Sequence, residues 1–161
     1  MSWPNNLYTM TVQLIKNFDI NIDRYPNQYV GCLVLTKDNK ILLQQRPHDW
    51  PTYPDYLCEF GGRIEHNESP EQAVIRDLEE ELGGDVKLKE LVSFGAITES
   101  MSKHKELIHT FFWHDKEGTI TGCYEGLPRF FNESAHILLQ TKITDGLRWL
   151  IDESKKLHLI K

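Results

Sequence analysis

The chain has 161 residues, 40% of them hydrophobic, and a formal net charge of -6. That is enough apolar material for one globular domain with a sizeable core. The acidic balance and the lack of a basic stripe exclude a non-specific binder of nucleic-acid polymers, and no apolar run approaches transmembrane length, so no membrane partner is expected.

Residues 1–27 read as an N-terminal extension and residues 28–161 as the main domain. In the extension, Met10, Val12, Leu14, Ile15 and Phe18 suit a short helix or an edge strand, ended by Pro26. Packing on the domain and mediating a homodimer both stay open for it. The stretch MSWPNNLYTMTVQLIKNF has no basic region followed by an apolar core, so no secretory signal is expected. Cys32, Cys58 and Cys123 are an odd set without C-x-x-C spacing and read as buried reduced thiols of a cytoplasmic protein.

Residues 29–35 read as a buried strand, 37–40 as a hairpin turn and 41–46 as the return strand. A loop over 47–54 carries His48, Asp49, Trp50 and Tyr53. A short strand over 56–60 runs into Gly61-Gly62, where the backbone can approach closely. Alternating apolar residues predict a strand over 86–94, followed by a polar loop over 98–105 and an aromatic-rich strand over 107–114. A turn at 116–118 leads to a return strand over 120–124 and a loop over 125–129. Thr144-Asp145-Gly146 starts a final helix with Leu147, Leu150, Ile151 and Leu157 on its apolar face and Lys155-Lys156 near its end. A mixed sheet packed between helices, an α/β fold, follows from this order.

The stretch 61–84, GGRIEHNESPEQAVIRDLEEELGG, is the most informative. Ser69 is an N-cap, Pro70 fits the first helical position, and Gln72 completes a capping box. Gly83-Gly84 stop the helix. At about 100° per residue, Val74, Ile75, Leu78 and Leu82 share one face and Asp77, Glu80 and Glu81 share another, with Glu79 pointing away from both. Three carboxylates at i, i+3 and i+4 repel one another. Either the face is simply solvated or a cation offsets it. A hard cation such as Mg²⁺ takes carboxylate oxygens in this way, often together with substrate phosphates.

The pattern Gly62, five residues, Glu68, seven residues, Arg76-Asp77-Leu78, one residue, Glu80-Glu81, one residue, Gly83 resembles the signature of the Nudix hydrolase family, G-x5-E-x7-R-E-U-x-E-E-x-G-U with U a bulky aliphatic residue. Asp77 stands where that family usually has Glu, and Gly84 where it has an aliphatic residue. The resemblance implies an α/β/α sandwich with a mixed sheet. It also implies Mg²⁺ (or Mn²⁺)-dependent hydrolysis of a nucleoside diphosphate linked to another group. Carried over, Glu80 and Glu81 are the main metal ligands, and Glu68 supports the loop or binds a further metal. Arg76 orients the carboxylates, and Asp77 is a ligand or the base that activates water. The Gly61 carbonyl is an extra ligand. Among the catalytic residues are thus Asp77, Glu80 and Arg76. A further acid from Glu99, Glu125 or Glu133 completes the site.

The stretches ILLQQRP and SPEQAVIRDLEEELG look most like the MutT branch, which cleaves nucleoside triphosphates to monophosphate and pyrophosphate. Trp50, Tyr53, Phe94, Phe112 and Trp113 are candidates to stack a base, with core packing the alternative for each. Arg46 and Lys103 are candidates to meet phosphate. His104, His109 and His114 recur every five residues, which fits no single face and so no zinc site. Two other readings stay open: a non-catalytic nucleotide-binding Nudix module, motivated by Asp77, and an isopentenyl diphosphate isomerase-like enzyme, motivated by Cys58.

Overall fold

The computed structural model describes residues 12–161. Seven strands form one mixed sheet: β1 (Val12–Ile15), β2 (Gln28–Leu35), β3 (Ile41–Gln45), β4 (Leu57–Cys58), β5 (Val92–Glu99), β6 (Leu107–His114) and β7 (Leu127–Phe131). The helices are α1 (Pro70–Leu82), α2 (Ser134–Leu138) and α3 (Asp145–Lys156). The sheet order is β1-β5-β6-β2-β3-β4, with β7 also paired to β3. β2 and β6 run parallel in register from Gln28↔Leu107 to Leu35↔His114, and the other strand pairs are antiparallel.

The alternation of the central strands divides the core into two layers. On one face Val30, Cys32 and Val34 of β2 and Phe111 and Trp113 of β6 meet Ala73, Val74, Leu78 and Leu82 of α1. On the other, Leu33 and Leu35 of β2 and Phe112 of β6 meet Leu147 and Ile151 of α3. The sheet therefore lies between helices, as the periodicity predicts. Each fully buried Leu or Val contributes roughly 1.5–3 kcal/mol relative to exposure.

Helix α1 follows its sequence signals closely. Ser69 accepts from the Gln72 amide at 3.1 Å and the Gln72 side chain accepts from the Ser69 amide at 2.9 Å, closing the capping box. Gly83 ends the helix in the left-handed region at φ 69. Gly84 is packed against Trp113: a Cβ there would lie 2.9 Å from the indole ring. The indole thus fills the space that an aliphatic side chain at this position would take.

Several expectations are corrected. The predicted strand over 86–94 starts with a single 3-10 turn at Leu88–Glu90, fixed by Lys87 N–H donating to Glu90 Oε1 at 2.7 Å, and Leu88 is exposed. The strand proper is Val92–Glu99, so it takes in Thr98 and Glu99, which the polar composition had assigned to a loop. Residues 120–124 are not a strand. Their amides serve the end of α1: Thr121 N–H donates to Leu82 O at 2.9 Å and Tyr124 N–H to Glu81 O at 2.8 Å. Those carbonyls have no partner inside the helix, so the segment satisfies them in place of a sheet ladder.

The return strand is instead β7, over residues read as loop. It pairs with β3 from Ile41↔Phe131 to Gln45↔Leu127 and tolerates Pro128 because it is an edge strand. Helix α2 was not anticipated at all. Helix α3 starts as expected, with Thr144 accepting from Leu147 N–H at 3.2 Å, but Leu157 is exposed beyond its last turn rather than on its apolar face. In the N-terminal segment, Val12–Ile15 forms the edge strand β1 on β5, and Phe18 is exposed. Met10 lies outside the described residues. Among the described residues, no helix is long and apolar enough to cross a membrane.

Candidate active site

Arg76 organises the carboxylates. Its Nε and Nη2 donate to the two oxygens of Glu68 at 2.7 and 2.9 Å, its Nη1 donates to Asp77 Oδ1 at 2.8 Å, and its Nη2 also donates to Arg63 O at 3.1 Å. Glu80 Oε2 lies 3.5 Å from Nη1. The fork-to-fork pairing holds the Glu68 carboxyl down at about 2, its hydrogen bond to Arg76 being the main cause, and pushes the guanidinium further up. Glu68 also accepts from Glu65 N–H at 3.0 Å, so here it braces the loop between Gly62 and α1.

Two of the helix's carboxylates are buried rather than solvated. Asp77 is 6% exposed and Glu81 5%, while Glu79 and Glu80 are exposed. Asp77 Oδ2 and Glu81 Oε2 are both buried with no hydrogen-bond partner. Burial, opposed by Arg76 and reinforced by Glu80, raises the Asp77 carboxyl to about 6. Burial raises Glu81 to about 9, aided by Glu125 and Asp77, and a backbone hydrogen bond at Gly61 works the other way. An ionised carboxylate in such a place is expensive unless a cation joins it.

Glu125 is the acid that the structure brings to Glu81. It arrives there because the 121–124 segment is bonded to the end of α1. Of the two other candidates, Glu99 lines the same cleft as Glu125 but is not brought to Glu81, and Glu133 lies outside that cleft. Glu99 Oε2 accepts from Gly146 N–H at 2.9 Å at the start of α3, and Glu133 is exposed just before α2.

Among the described residues, no three His, Cys, Asp or Glu side chains form a closed metal cage. The donor set nevertheless fits a hard divalent cation. Two buried carboxylate oxygens lack partners, and Mg²⁺ commonly takes only one or two protein carboxylates, with water and substrate phosphates filling the rest.

Gly61 and Gly62 sit where strand and site meet. Val30 N–H donates to Gly62 O at 2.9 Å, and a Cβ on Gly61 would collide with the Val30 carbonyl. A Cβ on Gly62 would lie 3.1 Å from Asp77 Oδ2. Two clefts flank this point. The larger, about 790 Å³, runs along Arg63–Glu68 to Arg76 and Asp77, but the acids it meets there are tied to Arg76. The smaller, about 590 Å³, carries more uncommitted chemistry: Gln44, Arg46, Trp50, Tyr53, Cys58, Glu59, Gly61, Gly62, Glu99, Lys105, Glu125 and Thr144 line it.

In that second cleft Arg46 stacks over Trp50 at 4.6 Å and donates to Thr52 O at 2.8 Å. Tyr53 donates to Met101 O at 2.7 Å. Trp50 and Tyr53 thus face the cleft, whereas Phe112 and Trp113 are core residues and Phe94 packs edge-on against Trp149. Lys105 lines the cleft and Lys103 does not. Glu59 escaped the sequence reading. It sits immediately before Phe60-Gly61-Gly62 with Oε2 buried and unpartnered, and burial raises its carboxyl. A lone charge at the end of an apolar strand was its only signal.

The cysteines are unpaired, and burial pushes the Cys58 thiol up to about 12. His104 Nδ1 bonds Thr98 Oγ1 and His109 Nε2 bonds Gln28 Oε1, each at 2.9 Å.

The NUDIX domain family profile matches residues 26–144. This chain belongs to the NUDIX domain family. Over 94 residues it is 37% identical to CTP pyrophosphohydrolase of Escherichia coli (strain K12), a match covering 56% of this chain and 65% of that protein. Over 66 residues it is 42% identical to 8-oxo-dGTP diphosphatase of Proteus vulgaris, covering 40% of this chain and 57% of that protein. The chain thus spans less than two thirds of either relative. A NUDIX-family hydrolase structure from Clostridium perfringens superposes with a TM-score of 0.61 at 18% identity, over 86% of this chain and 99% of that one, which shows the shared fold.

Proposed function

We propose that this NUDIX protein is a Mg²⁺- or Mn²⁺-dependent hydrolase of nucleoside diphosphate-linked compounds, most specifically a nucleoside triphosphate pyrophosphohydrolase. The observation that carries the reading is the buried pair Asp77 and Glu81, each with a partnerless oxygen and a raised pKa, beside Glu125. The activities named for the two curated relatives support the same substrate class.

In this reading Glu80, Glu81 and Glu125, with Asp77 and the Gly61 carbonyl, hold the cation. A divalent cation held by these residues would neutralise phosphate charge and make water more acidic. Asp77 takes the proton of the attacking water, and Arg76 fixes its orientation through Oδ1. Glu68, already satisfied by Arg76, acts through the loop. Arg46 and Lys105 meet the phosphates and Trp50 offers a face to the base. The division at residue 27, the cytoplasmic location and a possible homodimer belong to the same reading.

The raised Cys58 thiol disfavours the isomerase-like alternative, which needs a reactive cysteine. The test is release of phosphate or pyrophosphate from nucleoside triphosphates, sugar nucleotides and dinucleoside polyphosphates, with Mg²⁺, with Mn²⁺ and with chelator. Metal-dependent release of pyrophosphate from triphosphates is the expected result. Tight nucleotide binding without turnover on any of them would replace the hydrolase with a binding module.

A further inference from the structure

At the opposite end of the sheet from the carboxylates lies a third cleft, of about 490 Å³, lined by Lys89, Glu90, Val92, Phe112, His114, Lys116, His158 and Leu159. Its volume falls within the usual range for small-ligand pockets. Strands β5 and β6 connect it to the catalytic cleft. Val92 pairs with Phe112 at this end, while Glu99 and Ile108 line the other cleft. Seven residues of β5 separate the two, roughly 20 Å at about 3.3 Å per residue.

The charge here runs against the rest of the chain. In a protein of net charge -6, two lysines and two histidines meet around one acid. That acid, Glu90, already accepts from Lys87 N–H at 2.7 Å. Neither the Lys89 nor the Lys116 ammonium group has a hydrogen-bond or ion-pair partner among the described residues. His114 Nε2 is buried and unpartnered, so it lacks the hydrogen bond that a buried ring nitrogen normally has.

The walls are built from three fixed segments. These are the Leu88–Glu90 turn, the end of β6 where Lys116 N–H donates to His114 O at 2.9 Å, and the chain after α3. In the last, His158 N–H donates to Lys155 O and Leu159 N–H to Ser154 O, each at 3.0 Å. Val92, Phe112 and Leu159 supply an apolar side.

We propose that this cleft is a second binding site, for a small organic phosphate whose dianion meets Lys89 and Lys116 while its apolar body lies on Val92 and Leu159. Several donors spread around one pocket suit a phosphate, with its three terminal oxygens and double charge, better than a planar carboxylate. The inference does not depend on the hydrolase reading.

The test uses the full ¹⁵N-labelled chain with chelator and phenyl phosphate as the probe. Saturable shifts of the Val92, His114 and Leu159 amides are expected. The double variant K89E/K116E is expected to weaken that binding at least tenfold while leaving nucleotide turnover and the rest of the spectrum unchanged. Equal binding of benzoate, benzyl alcohol or inorganic phosphate, shifts confined to Arg46 and Trp50, or unchanged affinity in K89E/K116E would each overturn it. Should the double variant lose its native spectrum, K89Q/K116Q is read instead, with the same tenfold criterion.

Discussion

Helices α1 and α3 are near twins in design and opposites in what they bury. They have 13 and 12 residues, hydroxyl N-caps at Ser69 and Thr144, and apolar faces set against opposite sides of one sheet. The buried residues of α3 are apolar, small or hydroxylic: Gly146, Leu147, Leu150, Ile151 and Ser154. Those of α1 include Asp77 and Glu81. Helix α3 packs on the sheet with no ionisable residue among its own buried positions. The carboxylates under α1 are a burden on stability, and such burdens concentrate at functional sites.

The contrast can be broken at its strongest point. On the proposed reading Glu81→Gln removes a charged ligand and is expected to lower turnover at least ~10²-fold. Unchanged kcat/KM would remove Glu81 from the site. The mirror substitution in the other helix, Leu147→Ala, is expected to cost about 2–5 kcal/mol in denaturant unfolding, with the turnover of the folded enzyme little changed. Loss of turnover without loss of stability there would erase the division of labour.

The pH dependence sharpens it further. Glu81 has an ordinary value of 4.5 and is raised to about 9 in the fold, so the folded state holds a proton that the unfolded chain has released. Its favourable contribution is complete below about pH 4.5 and is lost as pH rises toward 9. Glu68, lowered to about 2, does the reverse: its contribution is present above 4.5 and lost as pH falls toward 2. In the chelated protein the melting temperature should fall from pH 5 to 9, and Glu81→Gln should flatten that slope. An unaltered slope would mean that Glu81 is not the buried proton holder.

The caps are the shared feature. Ser69→Ala and Thr144→Ala should each cost ~1 kcal/mol, about equally in the two helices. The smallest effect is expected from Asp77→Glu, which restores the side chain usual in the family signature and should leave turnover intact or raise it. A tenfold loss would show that the pocket against Gly62 is shaped for the shorter residue.

What the sequence disclosed is largely what lies close along the chain. The Ser69 box, the Gly83 stop and the two faces of α1 depend on neighbours three or four residues apart, so a wheel and a few cap rules find them. The hairpin of β2 and β3 and the start of α3 are local in the same way. The misreadings are long-range. β7 is a strand because β3 waits for it some 85 positions upstream, and nothing in LPRFF announces that. Val86 and Leu88 alternate like a strand but are interrupted by a turn that Glu90 ties. The choice among Glu99, Glu125 and Glu133 was invisible for the same reason: only the contact with Glu81 distinguishes Glu125, and that contact spans 44 residues.

The bonds from Thr121 and Tyr124 to the last carbonyls of α1 have a consequence for how this chain can vary. They splice a distant segment onto the helix, and side chains reinforce the splice: Thr121 Oγ1 lies 3.5 Å from Leu82 O and Ile120 and Cys123 pack on the core beneath α1, so the position of Glu125 depends on both the spacing and the side chains of 119–124. One extra residue between Tyr124 and Glu125 would swing the carboxylate away from Glu81. Main-chain spacing and side-chain packing together set where that carboxylate lies.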